Sequence, residues 1–507
     1  MQKLTDEQEA IVQAEDDLMA VTAYAGTGKT STLKAYANKR VHDQMLYLAF
    51  NRALAEEAKI AFSASPNVYV KTLHALAFNK VGKNYVSKLG NFRVLDLFRY
   101  FPKQQDAAKI MPSRVLFELL NAWTMSSDMT IEAFFKKNFH KVQEDLKGGK
   151  ITRENMLSAL KECWEDMMEG RFTMTHNGYF KLFQLSKPTL EHFSYLLVDE
   201  AQDLNEAMLK VILGASGKKI LVGDPYQQIY GWNGAVNAIG KASKQGAAQY
   251  FLTKSFRCPS HISEIANKYL VLLGAKKKFH GTNGSPPTSK SHKCENIIIA
   301  RTNAAIFDFA AKNMRGVKIF YNGGFDGYQF EILKDLNYLR QGKLKLIRDP
   351  FIKKFPEYHV LEDYASSALD IPMKVRIEVE KKYEGAVHGI FERMKECQAE
   401  TEKDADVVIT TAHKTKGQEY SQVTLLNDFV SLKDILAKVE SDFSGDLIKG
   451  EAKVKEPVHM KREEFQLVYV AVTRSFNTLN LSTDYLISDN EIDLLKKYVK
   501  KKRIILE

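Results

Sequence analysis

The segment AYAGTGKT, Ala23 to Thr30, stands between an apolar β-rich run and the helix-forming STLKAYANKR. A glycine-rich turn between a strand and a helix lets backbone N–H groups and the helix N-terminus converge on one point, which suits phosphate. Gly26 and Gly28 permit the tight turn, Lys29 is placed to reach the β- and γ-phosphates, and the Thr30 hydroxyl is placed to ligate Mg²⁺. Ala25, Gly26, Thr27, Gly28, Lys29, Thr30 and Ser31 are the candidate nucleotide cradle, although the first position of the usual pattern is Ala23 rather than glycine. Such a turn belongs at the carboxyl edge of a parallel sheet, so it restricts the fold as well as the ligand.

The rest of the chain agrees with that restriction. DLMAVTAYAG, QMLYLAF, NVYVKT, YLLVDE, KKILVGD, AQYFLTKS, ENIIIAR, DVVITTAH, QVTLLND and NTLNLSTD are short β-rich runs, most of them closed by Gly, Asp, Ser or Thr and followed by polar helical stretches. The predicted fold class is α/β with parallel sheets. Two long stretches break the alternation and read as helix, from about Ala75 to Pro188 and from about Phe307 to Glu402. In the first, SRVLFELLNAW and MLSALKECWEDMM repeat apolar residues three and four apart, which makes Trp123 and Trp164 core candidates. EIDLLKKYVKKKRIILE reads as a final helix or strand whose basic run is a solvated face or, alternatively, a DNA contact.

Composition narrows the partners. Lys and Arg number 73 against 62 Asp and Glu, a formal charge of +11 that favours a polyanionic partner, though many basic proteins bind no nucleic acid. Cys163, Cys258, Cys294 and Cys397 form no CxxC pair, which argues against a zinc ribbon or a disulfide framework and fits a reducing compartment. The polar MQKLTDEQEA and the lack of a long apolar run predict an intracellular protein without a membrane span.

A second chemical element is YLLVDEAQD, an apolar run ending in two carboxylates where a sheet would meet the nucleotide. Asp199 is the candidate Mg²⁺ residue, and Glu200 the group that orients and deprotonates the attacking water. With the turn at Ala23 to Thr30 these residues indicate an NTPase and no particular kind.

Further motifs, in order, resemble the superfamily 1 helicases of the UvrD/Rep type from Leu4 to about Leu481. LTDEQEAIV resembles the Q-motif, in which Gln8 would read the adenine edge. AFNRALAEEA, with Phe50 and Asn51, and KTLHALA, with Thr72 and His74, resemble the first DNA-contacting motifs. VGDPYQQIYGWNGA resembles the sensor motif, which implies Gln227 near the γ-phosphate and Tyr230 and Trp232 stacked on bases. TKSFRCP implies Arg257 as an arginine reaching across the cleft and Phe256 as an adenine-stacking ring. TAHKTKGQEY implies Thr411 and His413 near DNA, with Gly417 and Glu419 near the nucleotide and its ribose, and LVYVAVTRS implies Arg474 as a second arginine finger. Taken singly, Trp232 could be core, His74 and His413 structural, and Arg257 paired with a carboxylate.

The resemblance implies two RecA-like domains, each with a helical insertion: 1–75 with 188–258, interrupted by 76–187, and 259–306 with 403–487, interrupted by 307–402, followed by a basic tail at 488–507. It also implies ATP and Mg²⁺ as cofactors, single-stranded and tailed duplex DNA as partners, and a 3′-to-5′ motor acting in repair, recombination or replication. The alternative is a translocase that mainly strips proteins from DNA or serves a phage-defence complex. THNGYFKLFQLSKP, IFYNGGFDGYQFEIL and KLIRDPFIKKF are similar to the F-box DNA helicase branch, whose members include translocases that clear recombinase from single strands. The sequence opens almost at the Q-motif and closes soon after the sixth motif, so recruitment to a ubiquitin ligase is not expected. A bacterial or phage origin implies the nucleoid, a eukaryotic one the nucleus. Within the motifs, Asn233 stands where many relatives have arginine, and Phe465 and Gln466 where many have basic residues.

Overall fold

The computed structural model describes residues 3–146, 151–282, 296–313, 316–444 and 457–507, which leaves Cys294 outside the described residues. Six strands form the first sheet: β1 (Leu18–Ala23), β2 (Met45–Ala49), β3 (Val68–Thr72), β4 (Tyr195–Val198), β5 (Lys218–Gly223) and β6 (Ala248–Leu252). Their spatial order is β3-β2-β4-β5-β1-β6, with all pairs parallel. Every residue of β2 and β4 is buried, because helices cover both faces and an unbroken apolar run is then required. This order sets the carboxyl ends of β4, β5 and β1 side by side. From them emerge Asp199, Asp224 and the glycine-rich turn.

A two-stranded parallel ribbon, β7 (Lys254–Pro259) with β8 (His280–Thr282), leads to the second sheet. That sheet contains β9 (Asn296–Ala300), β10 (Ile319–Tyr321), β11 (Val407–Thr411), β12 (Tyr420–Leu425) and β14 (Ser475–Asn480), ordered β10-β11-β9-β12-β14 and again parallel. The molecule is therefore α/β, with two RecA-like sheets. Ile319–Tyr321 corrects the reading of Phe307 to Glu402 as helix: the segment contributes an edge strand paired with β11. A strand of 3 residues is too short to display the alternation that marks strands in sequence.

The helices of the first long interruption include Asp106–Met125, Arg153–Met168 and His176–Leu185. Trp123 and Trp164 meet edge to face at 5.9 Å inside them, and both are core residues as expected. The segment EIDLLKKYVKKKRIILE, read as a final helix or strand, supplies both. It folds as the helix Asp489–Lys500 and β15 (Ile504–Leu506), which pairs with β13 (Val458–Met460). Ile492, Leu495 and Ile504 belong to the second core, while Lys496, Lys497 and Lys500 face solvent. Among the described residues no helix is long and apolar enough to cross a membrane.

Candidate nucleotide cleft and nucleic-acid interface

Gly28 caps the helix Lys29–Lys39 with φ 79°, and Gly26 has φ 67°, both in the left-handed region that favours glycine. Space imposes the same choice: a Cβ on Gly26 would lie 2.5 Å from that of Arg257, and one on Gly28 would lie 2.9 Å from Gln8 Nε2. The loop is thus closed over by residues from both ends of the first domain, and any alanine would push them away. Thr27 Oγ1 donates to Tyr24 O at 2.8 Å and fixes the turn.

Lys29 Nζ sits 2.7 Å from Glu200 Oε1. Burial works against the Lys29 charge, but the carboxylates of Glu200 and Asp199 outweigh it and raise the amine above its ordinary value. Burial likewise works to raise Glu200, yet Lys29 and Lys416 hold its carboxyl at about 2, so it is ionised. Asp199 is raised, first by burial and then by Glu200. Its Oδ2 accepts from Tyr47 at 2.5 Å and its Oδ1 from the Glu200 N–H at 2.9 Å. Glu200 has φ 50°, strain for a residue with a side chain, and Gln202 Nε2 steadies its Oε2 at 2.5 Å.

Whether Mg²⁺ fits here depends on the donors. Asp199 and Thr30 both interact with the Tyr47 hydroxyl, so a carboxylate and an alcohol, both hard oxygen ligands, are held together. A buried carboxylate beside a second one also gains from a dication. The residues fit the ion.

Residues of the second domain close the cleft. Arg474 is buried, donating from Nε to Val470 O at 2.9 Å and from Nη2 to Gln227 Oε1 at 3.2 Å. Gln227 Nε2 donates in turn to Asp224 Oδ2 at 2.8 Å, which also accepts from Tyr469 Oη at 2.8 Å. Lys416 Nζ bonds Asp203 at 2.5 Å and Gln227 O at 2.9 Å. Arg257 forms an ion pair with Glu419, next to Gly417 at φ 83°. Sequence reasoning missed Asp203, Asp224, Lys416 and Tyr469. Asp224 ends β5 as Asp199 ends β4, and that parallel position was a usable signal.

At the other end of the loop, Gln8 and the Phe256 ring both approach Gly28, and Phe256 N donates to Gly26 O at 2.8 Å. Gln8 is buried, with its Oε1 accepting from Thr5 N at 3.1 Å and its Nε2 donating to Thr32 Oγ1 at 3.2 Å. Each end of the amide keeps one bonding position for a base. Ser31 is exposed at the start of the helix.

The candidate DNA residues divide into two groups. Phe50 stacks on Tyr230 at 5.5 Å and 17°, Tyr230 meets Trp232 at 6.1 Å, and His413 lies 6.3 Å from Tyr230. Trp232 is 72% exposed, which excludes a core role. Asn51 and Thr72 cap the helices Arg52–Ala61 and Leu73–Lys80, accepting from Leu54 N and Ala75 N. Among the described residues, the Asn51 amide and the Thr72 hydroxyl make no donated bond. The other two candidates lie deeper: Thr411 is buried, and His74 is half-buried, packing against Phe180 at 5.2 Å and Tyr179 at 6.1 Å. Burial pushes the His74 imidazole down to about 4, so it is neutral.

Two motifs that the sequence left without a physical account acquire one. Asn177, on the helix His176–Leu185, donates to Asn233 Oδ1 at 3.3 Å, so THNGYFKLFQL braces the turn that presents Trp232. Asn322 Nδ2 donates to Gln418 Oε1 at 2.8 Å, and Lys414 Nζ sits 3.4 Å above the Tyr328 ring, so YNGGFDGYQ braces the loop after β11.

Residues 4–246 match the UvrD/REP helicase N-terminal domain. The chain is 31% identical over 514 residues to F-box DNA helicase 1 of Gallus gallus, covering 95% of this chain and 49% of that protein. It is 26% identical over 526 residues to F-box DNA helicase protein 1 of Schizosaccharomyces pombe, covering 94% and 57%. To DNA helicase II of Escherichia coli it is 25% identical over 331 residues, covering 56% and 43%. The chain spans about half the length of these curated relatives. Phosphate loop and acid pair thus stand on a matching sequence: residues 4–246 form a helicase N-terminal domain of the UvrD/REP type.

Proposed function

We propose that this chain is an ATP-driven motor that moves 3′ to 5′ along single-stranded DNA and unwinds tailed duplexes. The observation that carries the reading is Gln227, bonded to Asp224 on one side of the cleft and to Arg474 on the other. It lies on the same loop as Tyr230 and Trp232, so one short segment joins the hydrolytic residues to the aromatic face.

In this mechanism the γ-phosphate takes the place of Glu200 beside Lys29, which frees the ionised carboxylate to orient water and accept its proton. Lys29, Arg474 and Arg257, the last leaving Glu419, then oppose the charge spread over the transferring phosphoryl group. Bound Mg²⁺, held by Thr30 and Asp199, supplies further neutralisation of phosphate charge. Bases stack on Phe50, Tyr230 and Trp232, each worth about 1 to 3 kcal/mol without regard to sequence. The domain limits set out above form part of the proposal, with Ile319–Tyr321 and residues 488–507 assigned to the second RecA-like domain.

The test is steady-state ATP hydrolysis with and without single-stranded DNA, joined to strand displacement on 3′- and 5′-tailed duplexes. Stimulation by DNA, abolished in Lys29→Ala and uncoupled in Trp232→Ala, is expected. Hydrolysis indifferent to DNA overturns the motor reading. Displacement of 5′-tailed duplexes alone overturns the polarity, and filament clearing without displacement favours protein stripping.

A further inference from the structure

Beyond the turn carrying Trp232, the chain passes into the helix Ala238–Lys244, whose Lys241 forms an ion pair with Glu206 of the helix Glu206–Gly214. Between them lies a groove of about 440 Å³, lined by Lys210, Lys241, Lys244, Leu209, Leu213 and Ser127 among others. None of its lining residues is aromatic. Lys137, on the helix Ile131–Asn138, stands close enough to Lys241 to act on its charge.

The groove is more basic than its own carboxylates can balance. Lys241 pairs with Glu206, and Lys137 reaches Asp128 only at 4.0 Å. Lys210 and Lys244 are exposed and, among the described residues, have no carboxylate within ion-pair distance. Burial, Lys137 and Lys244 all press the Lys241 amine down. Unpaired like charges gathered along one groove repel each other, and a polyanion relieves that repulsion.

The turn that carries Trp232 is tied to the segments that run into both walls of the groove. A Cβ on Gly234 would lie 2.8 Å from Met125 Sδ, so the Trp232 turn rests against the segment that runs on to Ser127 at the groove wall. Val236 N donates to Leu204 O at 2.8 Å, which ties the turn to the other wall. The chain itself leads from Trp232 directly into the helix whose Lys241 and Lys244 line the groove. With lysines and no rings, the groove suits sugar-phosphate backbone and not stacked bases.

We propose that the groove between the helices Glu206–Gly214 and Ala238–Lys244 is an extension of the single-strand track, in which Lys210, Lys241 and Lys244 hold backbone phosphates beyond Trp232. The inference rests on the DNA-motor reading.

The experiment compares the full-length protein with Lys210→Gln/Lys244→Gln, which spares the paired Lys241. Binding is measured against salt for an oligonucleotide of about 30 nucleotides and one of about 8, long enough only for the aromatic face. For the long strand, losing two phosphate contacts lowers the slope of log K against log salt by about 1.4, while the short strand keeps its affinity and its stimulation of ATP hydrolysis. The reversal Lys210→Glu/Lys244→Glu deepens the loss on the long strand alone. An unchanged slope on the long strand, or equal losses on both, overturns the proposal. So does loss of oligoglutamate binding with DNA binding intact, which assigns the groove to an acidic protein segment. Failure of the unaltered protein to bind either strand overturns the motor reading itself.

Discussion

Lys29 and Glu200 hold each other at 2.7 Å in a cleft where each has another task. The pair keeps both groups charged: Glu200 stays ionised at about 2, and Lys29 stays protonated despite burial. A nucleotide must break this bond to bind, so the contact opposes the phosphate it awaits. Glu200→Gln removes the competitor but also the base. The expected result is ATP binding as tight as in the unaltered protein or tighter, with kcat lower by about 10² to 10⁴. Calorimetric or fluorescence titration beside steady-state hydrolysis checks it, and weakened binding would show that the pair is only structural. The sequence made these two residues legible because their identity and spacing carry the chemistry. Gln227 was legible as a sensor, but its bond to Arg474 spans 247 positions, a separation no local pattern reveals. Lys416 and Asp203 stayed hidden for the same reason, lying 213 positions apart.

The helix His176–Leu185 shows how an element away from the chemistry supports it. Lys181 is fully buried, its Nζ 3.9 Å above the Trp123 ring, donating to Ser126 O at 2.9 Å and to Asp128 O at 2.5 Å. It anchors the segment after Met125, against which the Trp232 turn rests. Lys181→Met leaves those carbonyls unsatisfied, at a cost of about 1 to 3 kcal/mol. Burial pulls the amine down to about 7. Between that value and about 10.4 the unfolded chain binds a proton that the folded chain does not, so stability rises with pH across the window. Urea midpoints of the unaltered protein should therefore climb from about pH 7 to 9.5 relative to Lys181→Met, and parallel profiles would refute a neutral amine. At this scale the sequence displayed ten of the strands of the two main sheets and the helices around Trp123. It concealed β10, whose 3 residues lie between a helix and a pair of glycines.

For the molecule as a whole, the two RecA-like domains meet across a cleft in which, among the described residues, Lys416–Asp203 is the most buried ion pair, with side chains 8% and 0% exposed. Burial raises the Asp203 carboxyl to about 6 even with Lys416 beside it. The unfolded chain, with its carboxyl near about 3.9, has given up that proton by about pH 6, so ionising Asp203 in place costs stability as pH rises from the lower value through the higher. The pair therefore does not recover its desolvation, and its contribution is geometric: it directs Lys416 onto Gln227 O, at the junction of cleft and aromatic face. Two variants separate stability from coupling. Asp203→Ala strands a buried ammonium and should cost about 3 to 5 kcal/mol, whereas Asp203→Leu/Lys416→Met should melt close to the unaltered protein. If the geometric role is right, the double variant keeps basal ATP hydrolysis within a few-fold yet loses most of its stimulation by single-stranded DNA. A double variant that is both stable and fully stimulated would mean that Gln227 transmits between cleft and strand without Lys416, leaving Arg474 as the residue through which the second domain senses the first.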